Sequence, residues 1–114
     1  MLDITVQQRG KFNIVRLSGE LTAVDAPRVS QTVGEWTVGQ GARLAVDLTD
    51  LRMMDSAGLS ELIHLVTRAR LTEGCVVLVA PSAFVKGILS VTRLDGWFEI
   101  LPSLSDAEQE LGAA

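Results

Sequence analysis

Apolar positions first recur with a period of two. In LDITVQQ (2–8), Leu2, Ile4 and Val6 alternate with Asp3, Thr5 and Gln7, the pattern of a half-buried strand. RGK (9–11) reads as a turn in which Gly10 can take a positive φ. FNIVRLSG (12–19) is a second, partly alternating strand, and the short link predicts an antiparallel hairpin. The period then lengthens. Within GELTAVDAP (19–27), Asp25 is placed as a helix N-cap and Pro27 in the first turn, where its missing N–H is harmless. Val29, Val33 and Trp36 then fall on one helical face, and GQGA (39–42) ends that helix.

RLAVDLT (43–49) is mostly apolar and predicts a central strand. DLRMM is expected to carry the chain out of the sheet. Leu59, Leu62, Ile63, Val66 and Ala69 form the stripe of an amphipathic helix of about 15 residues, closed by Gly74. CVVLVA (75–80) reads as a buried strand, and Pro81-Ser82 opens a helix with Phe84, Val85, Ile88, Leu89 and Val91 as its apolar positions. GWFEIL (96–101) is a short last strand. SLSDAEQEL (103–111) is a terminal helix, with acidic residues favourable near its N-terminal end.

The order is β-β-α-β-α-β-α-β-α. Strand–helix alternation after the hairpin predicts an α/β fold, with about five strands in a mostly parallel mixed sheet, about four helices, and the N-terminal strand added antiparallel. No linker or repeat divides the chain, so residues 1–114 are read as one domain.

Composition removes whole classes of function. Net charge is −4 and the basic residues are scattered, whereas binding a phosphate backbone needs clustered Lys and Arg. Cys75 is the single cysteine, so no intramolecular disulfide can form, and a reducing compartment fits. The first residues lack an apolar signal-peptide core, and no run reaches the roughly 18 apolar residues of a membrane span. A cytoplasmic protein without direct membrane insertion is expected.

One stretch stands out. In LRMMDSAGLSEL (51–62) a quartet, Asp55-Ser56-Ala57-Gly58, interrupts apolar residues where a strand gives way to a helix. That is the edge at which parallel α/β sheets bind ligands. Asp55 or Ser56 is expected to cap the helix. Capping alone leaves Gly58 unexplained, because Gly in a first turn costs up to about 1 kcal/mol relative to Ala. Either another protein's backbone approaches Ser56 over small residues, or a tight internal contact demands them.

Enzymatic chemistry finds no support here. A nucleophile elbow needs Gly-x-Ser-x-Gly, and position 54 is Met. His64, the single histidine, lies eight residues further along the same helix, about 12 Å away. One His and one Cys make no zinc site, and no nucleotide-binding glycine motif is present. A phospho-aspartate receiver would use Asp47 but lacks the acidic cluster that holds its metal. No cofactor is expected. What remains is modification: a phosphoserine at position 56 would bring a charge of about −1.5 to −2 to a helix N-terminus.

VDLTDLRMMDSAGLSELIHLVTRAR resembles the STAS domain, the fold of bacterial anti-sigma-factor antagonists. VRLSGELTAVDAP and VVLVAPSAFVKGILSVTRLDGWFEILPSLSDA extend the resemblance over nearly the whole chain. It implies a regulatory protein, not an enzyme. Ser56 would be the phosphoacceptor of an anti-sigma factor that is also a serine kinase of the GHKL ATPase type. The unmodified form would bind that partner, phosphorylation would release it, and a PP2C-type phosphatase would reset the switch. The partner face would combine Leu21, Thr22, Ala23 and Asp25 with Asp55, Ala57 and Gly58.

The chain departs from the family pattern at Thr22, where Asp is frequent, and at Arg93, where Gly is frequent. The same resemblance admits other roles. One is a constitutive docking subunit of a lipid-transport or stressosome-type complex, and another is a partner switch controlling secretion.

Overall fold

The computed structural model describes residues 1–34 and 41–112. Trp36, Gly39 and Gln40 of the first helical segment lie outside the described residues.

The hairpin forms as its pattern requires. Strand β1 (Leu2–Arg9) pairs antiparallel with β2 (Phe12–Leu21), from Arg9↔Phe12 to Leu2↔Gly19. Gly10, first of the two connecting residues, takes φ 56°, the position a two-residue hairpin turn reserves for Gly. The other strands are β3 (Arg43–Asp47), β4 (Leu51–Met54), β5 (Cys75–Val79) and β6 (Glu99–Leu101), all joined in parallel. Among the described residues the sheet has six strands, in the order β1-β2-β3-β5-β6 with β4 also pairing β2.

β4 corrects the expectation that DLRMM leaves the sheet. β2 runs for ten residues and β3 for five. β3 pairs with Asn13–Arg16, and β4 takes up the remaining length at Gly19, Glu20 and Leu21 after a register shift. Leu51 and Met54 point inward, while Arg52 and Met53 face out.

Helices α1 (Ala26–Val33), α2 (Ser56–Leu71) and α3 (Ala83–Val91) cover one sheet face, and α4 (Leu104–Leu111) packs on the other. The larger core joins Val15, Leu17, Leu44, Val46 and Leu78 to Val29, Leu62, Leu65, Val66 and Leu89. Each fully buried side chain of this kind contributes about 1.5–3 kcal/mol. Leu65 belongs to the buried stripe of α2, whereas Leu59 and Ile63 flank it half-buried. The smaller core sets Ala107 and Leu111 of α4 on Ile14, Ala45 and Val77.

Two further boundaries shift. Trp97 and Phe98 precede β6, their amides bonding back to the Leu94 carbonyl at 3.0 and 3.1 Å. Trp97 instead packs against the larger core, under the guanidinium of Arg70 at 4.4 Å from its ring centre. At the end of α2, Glu73 takes the positive φ of 60°, and Gly74 follows with its amide on the Ala69 carbonyl.

Candidate functional site

The quartet resolves into separate duties. Asp55 is the N-cap of α2, and its two carboxylate oxygens serve different elements. Oδ1 accepts from the amide of Gly58 at 2.9 Å, satisfying a first-turn donor of the helix. Oδ2 accepts from the amide of Ala23 at 3.0 Å, across the loop between β2 and α1. The Asp55 amide donates to the Leu21 carbonyl at 3.2 Å. One residue thus joins the end of β2, the loop after it and the start of α2. The amides of Gly58 and Ala23 hold the Asp55 carboxyl below the usual carboxylate range, against a smaller opposing effect of burial.

Gly58 is required by a contact inside the protein. A Cβ there would lie 2.8 Å from Leu21 Cγ and would collide with the Leu21 carbonyl. The first turn of α2 therefore rests on the end of β2, and only Gly permits that approach. Gly58 and Leu21 are both buried, so they shape the candidate face from beneath.

Ser56 is left over. It is the first residue of α2, it is exposed, and among the described residues no hydrogen bond engages its hydroxyl. Around it stand half-buried Ala57, half-buried Thr22 and exposed Ala23. Asp25 occupies the N-cap position of α1 but makes no side-chain cap bond, and its carboxylate takes Arg28 Nη1 at 3.1 Å instead. Its cap-position backbone is helical, at φ −104° and ψ −11°, and the α1 entry is closed by turn bonds from Asp25 and Ala26 to the Thr22 carbonyl.

Two apolar side chains next to the expected partner segments are exposed. Val24 is 85% exposed and Met53 is 45% exposed, whereas Met54 is buried. Val24 lies within the segment from Leu21 to Asp25, beside Ala23. Met53 and Met54 both precede the quartet as adaptable apolar side chains, and β4 turns the first outward and the second into the core.

The remaining candidates sit in the scaffold. Asp47 is buried at the end of β3. Burial alone would raise its pKa, but the Thr49 hydroxyl and amide and the Arg16 guanidinium outweigh it and hold the carboxyl below its ordinary range. His64 is exposed on α2. Cys75 is half-buried, and burial pushes its thiol up, assisted by the charge of Glu99. Among the described residues, no group of three or more His, Cys, Asp and Glu is placed to hold a metal, and no helix is long and apolar enough to cross a membrane.

Comparisons with known proteins converge on one family. The model of the STAS domain matches residues 3–107. An anti-sigma-B factor antagonist of Listeria monocytogenes is 28% identical over 100 residues, covering 87% of this chain and 88% of that protein. Among solved structures, an anti-sigma factor antagonist from Mycobacterium paratuberculosis superposes with a TM-score of 0.86 at 25% identity, over 97% of this chain and 94% of that one. The Bacillus cell fate determinant SpoIIAA in its phosphorylated form superposes with a TM-score of 0.73 at 17% identity, over 94% of this chain and 98% of that one.

Proposed function

The chain belongs to the STAS domain family, and on that premise we propose that it is an anti-sigma-factor antagonist whose binding is switched by phosphate on Ser56. The observation that carries the reading is the division of labour at the start of α2. Asp55 holds the helix end and the neighbouring loop, so the exposed Ser56 hydroxyl is free of structural duty. A relative of the same fold exists in both unphosphorylated and phosphorylated forms, which supports the same reading.

The unmodified face is small, apolar and neutral at Ala23, Val24, Met53 and Ser56. The partner docks there as a GHKL-type kinase and anti-sigma factor. Transfer of a phosphoryl group to Ser56 Oγ sets a dianion beside the Asp55 carboxylate. Desolvating two adjacent anions against a surface fitted to a hydroxyl opposes docking, and the partner leaves. The fold need not change, because the bonds of Asp55 do not involve Ser56 Oγ. A PP2C-type phosphatase restores the hydroxyl. The domain contributes the acceptor and no catalytic group, in the cytoplasm where such kinases work.

The test is intact mass and peptide mapping after incubation with a GHKL-type kinase and ATP, alongside binding measurements. One phosphate on Ser56, absent in Ser56→Ala, is expected. Ser56→Asp is expected to bind the kinase at least tenfold more weakly than Ser56→Ala. Equal binding by wild type, Ser56→Ala and Ser56→Asp would sink the charge switch. A stable complex without phosphate transfer would favour a constitutive docking subunit.

A further inference from the structure

The two edges of the sheet differ sharply. β6 ends one side with three residues, whereas β1 ends the other with eight. A long edge strand is a template for another strand unless charge, proline or a cover blocks it. Between Asp3 and Arg9, β1 carries neither charge nor proline.

The hairpin determines which backbone groups of β1 are available. The two-residue turn closes on Arg9↔Phe12, so the odd-numbered residues Arg9, Gln7, Thr5 and Asp3 exchange hydrogen bonds with β2. The N–H and C=O groups of the even-numbered residues therefore point to the open side. The Leu2 carbonyl bears this out: it faces outward and accepts from Arg28 Nη1 at 2.7 Å. Ile4, Val6 and Gln8 present the remaining outward groups, and among the described residues no strand lies beyond them.

We propose that β1 is a homodimerisation edge, which pairs antiparallel with β1 of a second copy about a twofold axis at Val6. In that register Val6 faces Val6 of the second copy, and Ile4 faces Gln8, so each outward amide meets an outward carbonyl. Asp3 falls opposite Arg9 of the second copy at both ends, on the sheet face that carries α4. Arg9 also holds Glu108 of its own chain, and a guanidinium has five donors to share between two carboxylates. Registers shifted by two residues lose this match: one sets Asp3 against Gln7, the other sets Thr5 against Arg9. The half-buried side chains of Ile4 and Val6 gain cover. The two Ser56 faces lie near the ends of β2 and point in opposite directions, so dimerisation leaves both open, and the inference stands independently of the phosphoswitch.

Sedimentation velocity of the whole chain from micromolar to millimolar concentration is the first test. A reversible dimer is expected. Asp3→Arg sets like charges opposite each other at both ends and is expected to weaken it roughly tenfold. Asp3→Arg combined with Arg9→Asp is expected to restore it, with circular dichroism checking that loss of the Glu108 pair leaves the fold intact. In a Cys75→Ala background, Thr5→Cys mixed with Gln7→Cys is expected to cross-link on oxidation, because those positions face each other in a closely spaced, non-hydrogen-bonded pair. A monomer at every concentration, a dimer indifferent to Asp3→Arg, or cross-linking of Thr5→Cys with itself in place of Gln7→Cys would overturn the proposal.

Discussion

Helices α2 and α3 both begin with a serine near their N-termini, and the two serines live opposite lives. Ser82 is the N-cap of α3: its Oγ accepts from the Val85 amide at 3.4 Å and donates to the Leu51 carbonyl of β4 at 2.7 Å. Its hydroxyl is consumed by the fold. Ser56 stands one position later, inside its helix, because Asp55 has taken the cap. Displacement by one residue turns a structural hydroxyl into an available one. A carboxylate cap also accepts from two donors at once, and so fixes the surroundings of Ser56.

The comparison can be broken most forcefully at Gly58. Gly58→Val drives a side chain into the Leu21 carbonyl and pries α2 from β2; a loss of about 3 kcal/mol is expected in urea unfolding, together with loss of kinase binding. Next comes the contrast between the serines. Ser82→Ala removes the cap and leaves the Leu51 carbonyl short of a donor, so about 1–2 kcal/mol should be lost. Ser56→Ala should change stability by less than about 0.5 kcal/mol, as for surface substitutions without a structural role. If Ser56→Ala proved as costly as Ser82→Ala, the two serines would be equivalent and the division of labour wrong.

The finest test uses pH. The folded-state pKa of Asp55 lies below its unfolded value, so its stabilising contribution is present above the ordinary carboxylate range and is lost as pH falls through the folded value. Asp55→Asn should therefore flatten the acid limb of the stability profile measured by thermal unfolding, while leaving its shape above pH 6 unchanged. An unaltered acid limb would mean that the carboxylate charge does not hold the loop.

Much of this arrangement was legible along the chain because its causes are local. The alternation at Leu2, Ile4 and Val6, the stripe through Leu62, Val66 and Ala69, and the acid–serine step before a helix all act within a few residues. What escaped depends on distant partners. Leu51–Met54 has the burial pattern of a strand only because β2 extends past the end of β3, and four residues without alternation carry no signal of that. Trp97 and Phe98 look like strand residues by type, yet turn bonds to Leu94 claim their amides. Asp25 has the chemistry of a cap, and Arg28 outcompetes the helix for it. The purpose of Gly58 was open between an internal and an external contact, and the closeness of Leu21 decides for the internal one. Arg93, where the resemblance leads one to look for Gly, takes a left-handed backbone at φ 60°. A side chain in that conformation costs about 1 kcal/mol or more relative to Gly.

The shared carboxylate of Asp55 has a spectroscopic consequence. The amide protons of Ala23 and Gly58 belong to different elements, yet they report on the same two oxygens. Any event that alters the charge around those oxygens, whether protonation of Asp55 or arrival of a phosphate on the next residue, should shift both resonances together. At constant pH, concerted movement of these two amide peaks is the expected readout of a phosphate on Ser56.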